Sequence, residues 1–290
     1  MIYDYCILGA GISGALIAEK IESFGKSFCL IDKGRSSGGR LSCKRMGSIY
    51  FNHGLQSFDC NLQNRKWIKE LIEEKSLSKL APYKILVPAN QVVKKILRQI
   101  PVHTNEEIVK ITYQNSLFSI QSKSDTEWSA KKVICTFPAP QALKVFGNHL
   151  TAQQSTLLES FLYTKRLICF TDTKIAQDLN SDYKIDISAD FSMISFSEKV
   201  SEKYFEQSDT EIKINLKNNY SNLFINTEME QLTIKKWRYA NCNHPLLQKH
   251  IVDKNNHLFL IGDYFGAPTD TSLERTISSA ESIFNLLEHR

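Results

Sequence analysis

The sequence predicts an α/β fold: a parallel, doubly wound sheet whose chain is interrupted by an inserted, mostly antiparallel β unit. Three observations carry this. An apolar strand pattern starts almost at the N-terminus, at Tyr3–Leu8, and passes through a glycine-rich turn into an apolar helix pattern. A second apolar run, Ser27–Ile31, follows at the spacing of a strand–helix–strand unit. Residues 153–250 then change to Asn-, Ser- and Lys-rich sequence with alternating β-type runs, before an apolar strand pattern returns at Leu258–Gly262.

The first turn reads Gly9-Ala10-Gly11-Ile12-Ser13-Gly14. Gly9 permits a tight strand-to-helix turn, Gly11 leaves the backbone open to a pyrophosphate, and Gly14 lets the helix sit close on the sheet. The free N–H groups of the helix start, at Ile12 and Ser13, suit the phosphates. Asp32 closes the second strand 18 residues after Gly14. A carboxylate there bonds a ribose 2′-hydroxyl and repels a 2′-phosphate, which disfavours NADP. A glycine-rich turn of an unrelated α/β domain would lack this full order of strand, glycines, helix, strand and acid.

Just past Asp32 come Lys33 and Arg35, then Gly38-Gly39-Arg40-Leu41. A second glycine pair with an arginine brings backbone N–H groups and a cation to the same pyrophosphate. This pattern resembles the FAD-binding signature of amine-oxidase-like and glutathione-reductase-like flavoproteins. Further stretches extend the likeness. Phe51–Phe58 (with His53, Gly54 and Leu55), Thr136–Ala142 and Lys236–Ala240 resemble segments of bacterial renalase-like proteins. Leu258–Tyr264, with Gly262-Asp263, resembles the C-terminal flavin motif that precedes a last helix opened by Ser272, Leu273 and Glu274. The chain is thus similar to renalase-like FAD-dependent oxidoreductases of the flavin amine oxidase superfamily, with residues 150–235 matching poorly.

The resemblance implies a Rossmann-like FAD-binding domain of the glutathione reductase/p-hydroxybenzoate hydroxylase type, with non-covalent FAD. It implies hydride transfer to flavin from a small substrate, an amine or an isomeric dihydronicotinamide nucleotide, and reoxidation by O2. The expected organisation is FAD-binding segments at 1–60, 89–150 and 251–290, a helical segment at 61–88 reaching toward the substrate domain, and a substrate domain at 151–250. The active site is expected in the cleft between domains. Val109 would offer backbone groups to the adenine, and Thr136 would end a strand beside the cofactor. Asp263 would bond the ribityl chain or pyrophosphate, and the N–H groups of the last helix would face the charge that develops on reduction. An ordinary capped helix is the alternative at Ser272. Arg275 and Thr276 replace the family's usual small residues there.

Trp237 would line the substrate face of the flavin, or else be a core tryptophan on a strand. Tyr239 shares its face and Arg238 takes the other. His53 would contact the flavin phosphate or ring edge or act in acid–base chemistry; capping its own loop is the alternative. Lys213–Lys217 is read as a strand that carries Asn215 where renalase-like chains have an active-site histidine. Asn hydrogen-bonds but does not titrate.

Elsewhere, helical patterns fall at 12–24, 64–75 and 89–99. Strand-like runs fall at Glu107–Tyr113, Leu117–Ser122 and Glu127–Cys135, with a hairpin turn at Gln114-Asn115-Ser116, then at Arg166–Thr171, Met193–Ser197, Glu211–Leu216 and Leu232–Tyr239.

With 290 residues, 42% of them hydrophobic, a sizeable core is affordable. The net charge of +5 comes from well-mixed signs, which does not suit nucleic-acid binding. No apolar run reaches membrane-spanning length. Cysteines at 6, 29, 43, 60, 135, 169 and 242 include no C-x-x-C pair. They suit reduced thiols in the cytoplasm and neither a disulfide framework nor a metal site; covalent flavin attachment at Cys242 is disfavoured. Two rival readings are another flavin class, such as a desaturase or monooxygenase, and a flavin-binding protein that has lost its chemistry.

Overall fold

The N-terminal apolar run becomes a central strand because Tyr5–Leu8 are buried, at 0–2% exposure, as an inner strand of a parallel sheet requires. The computed structural model describes residues 1–58, 65–80, 82–178, 180–255 and 257–288. Its elements begin with β1 (Ile2–Leu8), α1 (Ile12–Ser23), β2 (Phe28–Ile31), β3 (Cys43–Met46), β4 (Ile49–Asn52), β5 (Ser57–Phe58), α2 (Lys66–Glu73), β6 (Tyr83–Lys84) and α3 (Ala89–Leu97). Next come β7 (Ile108–Gln114), β8 (Leu117–Ser122), β9 (Glu127–Cys135), α4 (Ala139–Phe146), α5 (Ala152–Glu159), β10 (Tyr163–Thr171), β11 (Tyr183–Ser188) and β12 (Phe191–Phe196). The chain ends with α6 (Glu198–Tyr204), α7 (Asp209–Asn219), β13 (Thr233–Cys242), β14 (Ile251–Val252), β15 (Leu258–Leu260), α8 (Ser272–Glu281) and α9 (Phe284–Glu288).

The chain divides into two compact units. The first comprises Met1–Ser42, Gly54–Leu162 and Cys242–Arg290; the second comprises Cys43–His53 and Tyr163–Asn241. In the first unit the sheet runs β14-β15-β9-β1-β2. β1 lies parallel to both β2 and β9, and β15 parallel to β9. His103 adds a parallel bridge beyond β2, where the Asp32 N–H donates to its carbonyl at 2.8 Å. β7, β8 and β9 form an antiparallel meander. Its turn places Asn115 and Ser116 at φ 51° and 62°, the hand that matches a twisted two-residue hairpin. Ile7, Leu30, Ile134 and Phe259 of the sheet join Ala15, Ile17 and Ile21 of α1, Val92 and Val93 of α3, and Ile277 of α8 in one apolar cluster.

The second unit is built on the sheet β11-β12-β10-β13, with β12 antiparallel to both β10 and β11. Alternation along β10 sends Leu167 and Cys169 to one face, where they cluster with Val200 and Tyr204 of α6 and Ile212 and Leu216 of α7. Ile168 and Phe170 point to the other face and meet Phe51, Met46 and Ile49 of the β3–β4 hairpin, together with Trp237. That apolar contact draws residues 43–53 into the second unit, although they sit within the stretch expected to be the first FAD-binding segment. Described residues of 54–88, and residues 151–162 and 242–250, belong to the first unit.

One element corrects the sequence reading. Glu211–Leu216 is not a strand; it lies inside helix α7. Its polar/apolar alternation mimics a β pattern, but Ser208 opens a capping box with Glu211. The Ser208 Oγ accepts from Glu211 N at 3.3 Å, and the Ser208 N–H donates to Glu211 Oε2 at 2.8 Å. Helical spacing buries Ile212 and Leu216 and leaves Ile214 56% exposed, whereas a strand would put all three on one face. Asn215 is therefore a helix residue, with its Nδ2 donating to Gln207 Oε1 at 3.0 Å. The match of Lys213–Lys217 to an active-site strand fails with it.

Urea unfolding tests this assignment: Leu216→Ala is expected to cost about 2–5 kcal/mol, and Ile214→Ala less than about 0.5 kcal/mol. Equal costs at the two positions would indicate a strand.

Candidate functional site

The first unit places the predicted glycine residues in a single turn. Gly9 has φ +102°, and a Cβ there would stand 2.3 Å from Thr136 Oγ1. Thr136 hydrogen-bonds back to the turn: its N–H donates to Leu8 O at 2.9 Å and its hydroxyl to the same oxygen at 3.0 Å. At Gly14 a Cβ would meet the Gly9 carbonyl oxygen at 1.9 Å, so the helix approaches the turn as only glycine allows. α1 starts after Gly11 without a side-chain cap.

The second glycine pair folds onto the first turn. The Gly38 N–H donates to Ala10 O at 2.8 Å, and the Leu41 N–H to Gly38 O at 2.9 Å. Gly39, at φ +56°, would put a Cβ 3.2 Å from Gly11 Cα, so two residues without side chains face each other at the mouth of α1. Gly54 is packed as tightly, since a Cβ there would meet the Arg40 carbonyl at 1.9 Å; the Leu55 N–H donates to that carbonyl at 3.0 Å. Leu41 is buried, and Lys33 and Arg35 are exposed on the loop after β2.

Asp32 secures the turn from below. Its Oδ2 accepts from Ala10 N and its Oδ1 from Gly34 N, each at 2.6 Å. A carboxylate has about four acceptor sites, so capacity for a ribose hydroxyl remains. Val109 falls at a bulge in β7, because Ile108 pairs with Ser122 and Lys110 with Gln121. Its backbone is thereby set apart from the ladder.

The C-terminal motif is more elaborate than its sequence suggests. Asp263 is 1% exposed and pairs with Arg40, Nη1 to Oδ2 at 2.6 Å. Ser272 Oγ donates to the same oxygen at 3.2 Å. Burial alone would push the Asp263 carboxyl up, but the Arg40 charge and these hydrogen bonds outweigh it and hold the group below the usual range. α8 does begin at Ser272, but the capping residue is Thr271. Thr271 Oγ1 accepts from Glu274 N at 3.2 Å, and Glu274 Oε2 accepts from Thr271 N at 2.8 Å. The Glu274 amide and carboxylate are thus engaged within the cap, leaving the N–H groups of Ser272 and Leu273 as the helix-start donors. The Thr271-x-x-Glu274 pattern was readable as a capping box, whereas nothing local in the sequence signalled that Arg275 turns inward to 6% exposure.

His53 and Trp237 meet in the second unit. Trp237 Nε1 donates to His53 Nδ1 at 3.3 Å, and the His53 ring lies 5.6 Å from both the Trp237 and Phe170 rings. Burial first, then the positive charges of Lys235 and Lys44, push His53 down from 6.5 to about 4. It is neutral at physiological pH. Tyr239 stacks edge-on with Tyr163 at 5.4 Å, while Arg238 turns to Glu206. Asn215, on α7, is not among these side chains. The described residues contain no group of three or more His, Cys, Asp or Glu able to hold a metal ion, and Cys60 lies outside them. No helix among them is long and apolar enough to cross a membrane.

Residues 7–74 match the NAD(P)-binding Rossmann-like domain family. No curated protein matches the chain at a significant level. By structure the chain is similar to a double mutant of putrescine oxidase, with a TM-score of 0.68, 10% identity and 100% of each chain covered. It is also similar to cyclohexylamine oxidase from Brevibacterium oxydans IH-35A, with a TM-score of 0.65, 9% identity, and 99% of this chain and 98% of that one covered. An oxidoreductase from Methanosarcina mazei gives a TM-score of 0.61 at 13% identity, with 98% and 100% covered. The chain therefore has the fold of these oxidoreductases: a Rossmann-like α/β domain with a parallel sheet, carrying an inserted antiparallel one.

The neutral His53 makes a pH prediction. Its proton affinity is lower folded than unfolded, so stability is full above about pH 6.5 and declines as pH falls toward about 4, by on the order of 3 kcal/mol. Urea unfolding across that range should show the loss in the wild type and a flatter profile in His53→Gln. Identical slopes would contradict it.

Proposed function

We propose that this chain is an FAD-dependent oxidoreductase that binds FAD non-covalently and oxidises a small substrate, with O2 as electron acceptor. The observation that carries the reading is the pair of facing glycines, Gly11 and Gly39, at the uncapped start of α1. A single Rossmann turn needs only the first of them; a second glycine turn laced to it, with Arg40 following, suits a longer pyrophosphate cofactor. The residues fit the group: open backbone for the phosphates, Asp32 for the ribose, Val109 for the adenine edge, and the Ser272 and Leu273 amides for the ring carbonyl.

When bound, the flavin supplies acceptance of two electrons and a proton as hydride. The chain's part is binding and charge. The start of α1 and Arg40 compensate phosphate charge. The start of α8 offers positive dipole density where negative charge develops, although Glu274 in the cap offsets part of it. His53, being neutral, accepts the Trp237 indole proton, which holds the indole plane and leaves Trp237 suited to stack on a flat substrate. By the renalase-like resemblance the substrate is an amine or an isomeric dihydronicotinamide nucleotide, and the flat ring of the latter suits stacking on Trp237.

The test is the visible spectrum of the purified protein, followed by anaerobic titration with dihydronicotinamide isomers and simple amines. Flavin absorption that bleaches with one of them supports the reading. Flavin that no candidate bleaches points to a binding protein or another flavin class, and a protein that cannot be loaded with FAD overturns the proposal. Gly11→Val sharpens the test. A Cβ at Gly11 has only Gly39 Cα near it, at 3.9 Å, so the variant should fold with a Tm within about 3 °C of wild type. Its isopropyl group occupies the phosphate approach and should weaken FAD binding by roughly 100-fold. Unchanged FAD affinity would place the cofactor elsewhere.

A further inference from the structure

The first turn of α8 buries a cation, Arg275, 6% exposed. Arg275 donates through Nε to Asp263 O at 2.8 Å, through Nη1 to Asp270 O at 2.6 Å, and through Nη2 to Cys242 O at 3.3 Å. Gly266, at φ +123°, makes room for its stem: a Cβ there would stand 2.8 Å from Arg275 Cγ. The guanidinium therefore joins three separate stretches of the first unit: the end of β13, the Gly262–Thr271 connection at two points, and α8 itself. Carbonyl oxygens take three of its five N–H donors without cancelling its charge. Among the described residues no carboxylate oxygen forms an ion pair with it, and the neighbouring Asp263 carboxylate is already held by Arg40 and Ser272.

We propose that Arg275 is a positioning residue for the bound flavin: its three carbonyl contacts fix Asp263 and the start of α8, and its buried charge favours the reduced cofactor over the oxidised one. The inference rests on the FAD reading above. Addition of a hydride, two electrons and one proton, to the neutral ring system leaves it with one negative charge. A fixed cation in a water-poor interior favours that product, because little reorganisation is needed to meet the new charge. A buried arginine here is thus compatible with a functional flavin site: the volume of the side chain is taken up by the Gly266 bend, and its charge serves the reduction.

The test compares wild type, Arg275→Lys and Arg275→Gln, each loaded with FAD. The midpoint potential is read against a reference dye, and FAD affinity by titration of the apoprotein. Arg275→Gln is expected to lower the preference for reduced over oxidised FAD about tenfold, a fall of about 30 mV for the two-electron couple. Arg275→Lys keeps the charge and therefore the potential. It loosens FAD binding roughly tenfold, because a single ammonium cannot span three carbonyls. A purely architectural arginine would destabilise both variants and leave the potential of each at the wild-type value; that result overturns the inference. If Arg275→Gln fails to fold, Arg275→Met, which keeps an unbranched apolar stem beside Gly266 and removes the charge, should lower the preference by about the same tenfold. An unchanged potential there overturns the inference equally. A wild-type protein that takes up no flavin overturns the FAD reading itself, an outcome distinct from flavin that binds with an insensitive potential.

Discussion

The contact on which the first unit depends is between the Gly9 carbonyl and the first turn of α1. A methyl group at Gly14 would lie 1.9 Å from that oxygen, so the helix can rest on the turn only because the residue has no side chain. Much follows from this approach. α1 is brought against the sheet with Ala15, Ile17, Ala18 and Ile21 completely buried. Its N-terminus is aimed across the open backbone of Gly11. The second glycine loop then completes the cradle by backbone bonding, through Gly38 to Ala10, so no bulky side chain stands between the two turns. Asp32 and Thr136 hold the turn from either side with oxygen atoms, at distances set by the parallel register of β2, β1 and β9.

Charge organises the other end of the same unit. A carboxylate as buried as Asp263 would be expelled or neutralised if it stood alone. Arg40, from the glycine loop, and Ser272, from the start of α8, keep it ionised, and Arg275 grips its backbone. The glycine loop, far away in sequence, and the start of α8 are thereby tied to one residue. The arrangement couples the phosphate side of the proposed cofactor site to the helix that would face the flavin ring. Desolvating the Asp263 side of the pair costs free energy that the attraction must repay, so the contact is weak evidence for net stability.

The second unit follows simpler rules. Strict alternation along β10 and β12 gives its sheet two apolar faces, one covered by α6 and α7 and the other by the β3–β4 hairpin. His53 sits at the end of that hairpin and is kept neutral by burial and by two lysines. Its value here is as a fixed acceptor for the Trp237 indole, which a protonated imidazole would not be.

Most of the first unit was legible in the sequence, because its constraints are local. Gly9, Gly14, Gly38 and Gly39 mark backbone positions that reject side chains, Gly11 leaves the backbone open without being crowded, and Asp32 follows at the length of one helix and one strand. The hairpin at Asn115-Ser116 was equally readable. The second unit was less so. The alternation of Glu211–Leu216 resembles a strand, and only the capping box at Ser208, together with the burial of Ile212 and Leu216 on one helix face, decides for α7. The sequence by itself determined the cofactor-type turn, whose contacts lie within a few tens of residues, and the apolar strand patterns of the parallel sheet and of the chain's return to it; those patterns are local although β9 pairs with β1 and β15 across long stretches of chain, as Val133 does with Cys6 and Leu258. Tertiary structure alone decided that residues 43–53 join the second unit, that His53 loses its charge, and that Arg275 turns inward. Those outcomes depend on burial and on partners distant in the chain, which local sequence pattern does not encode.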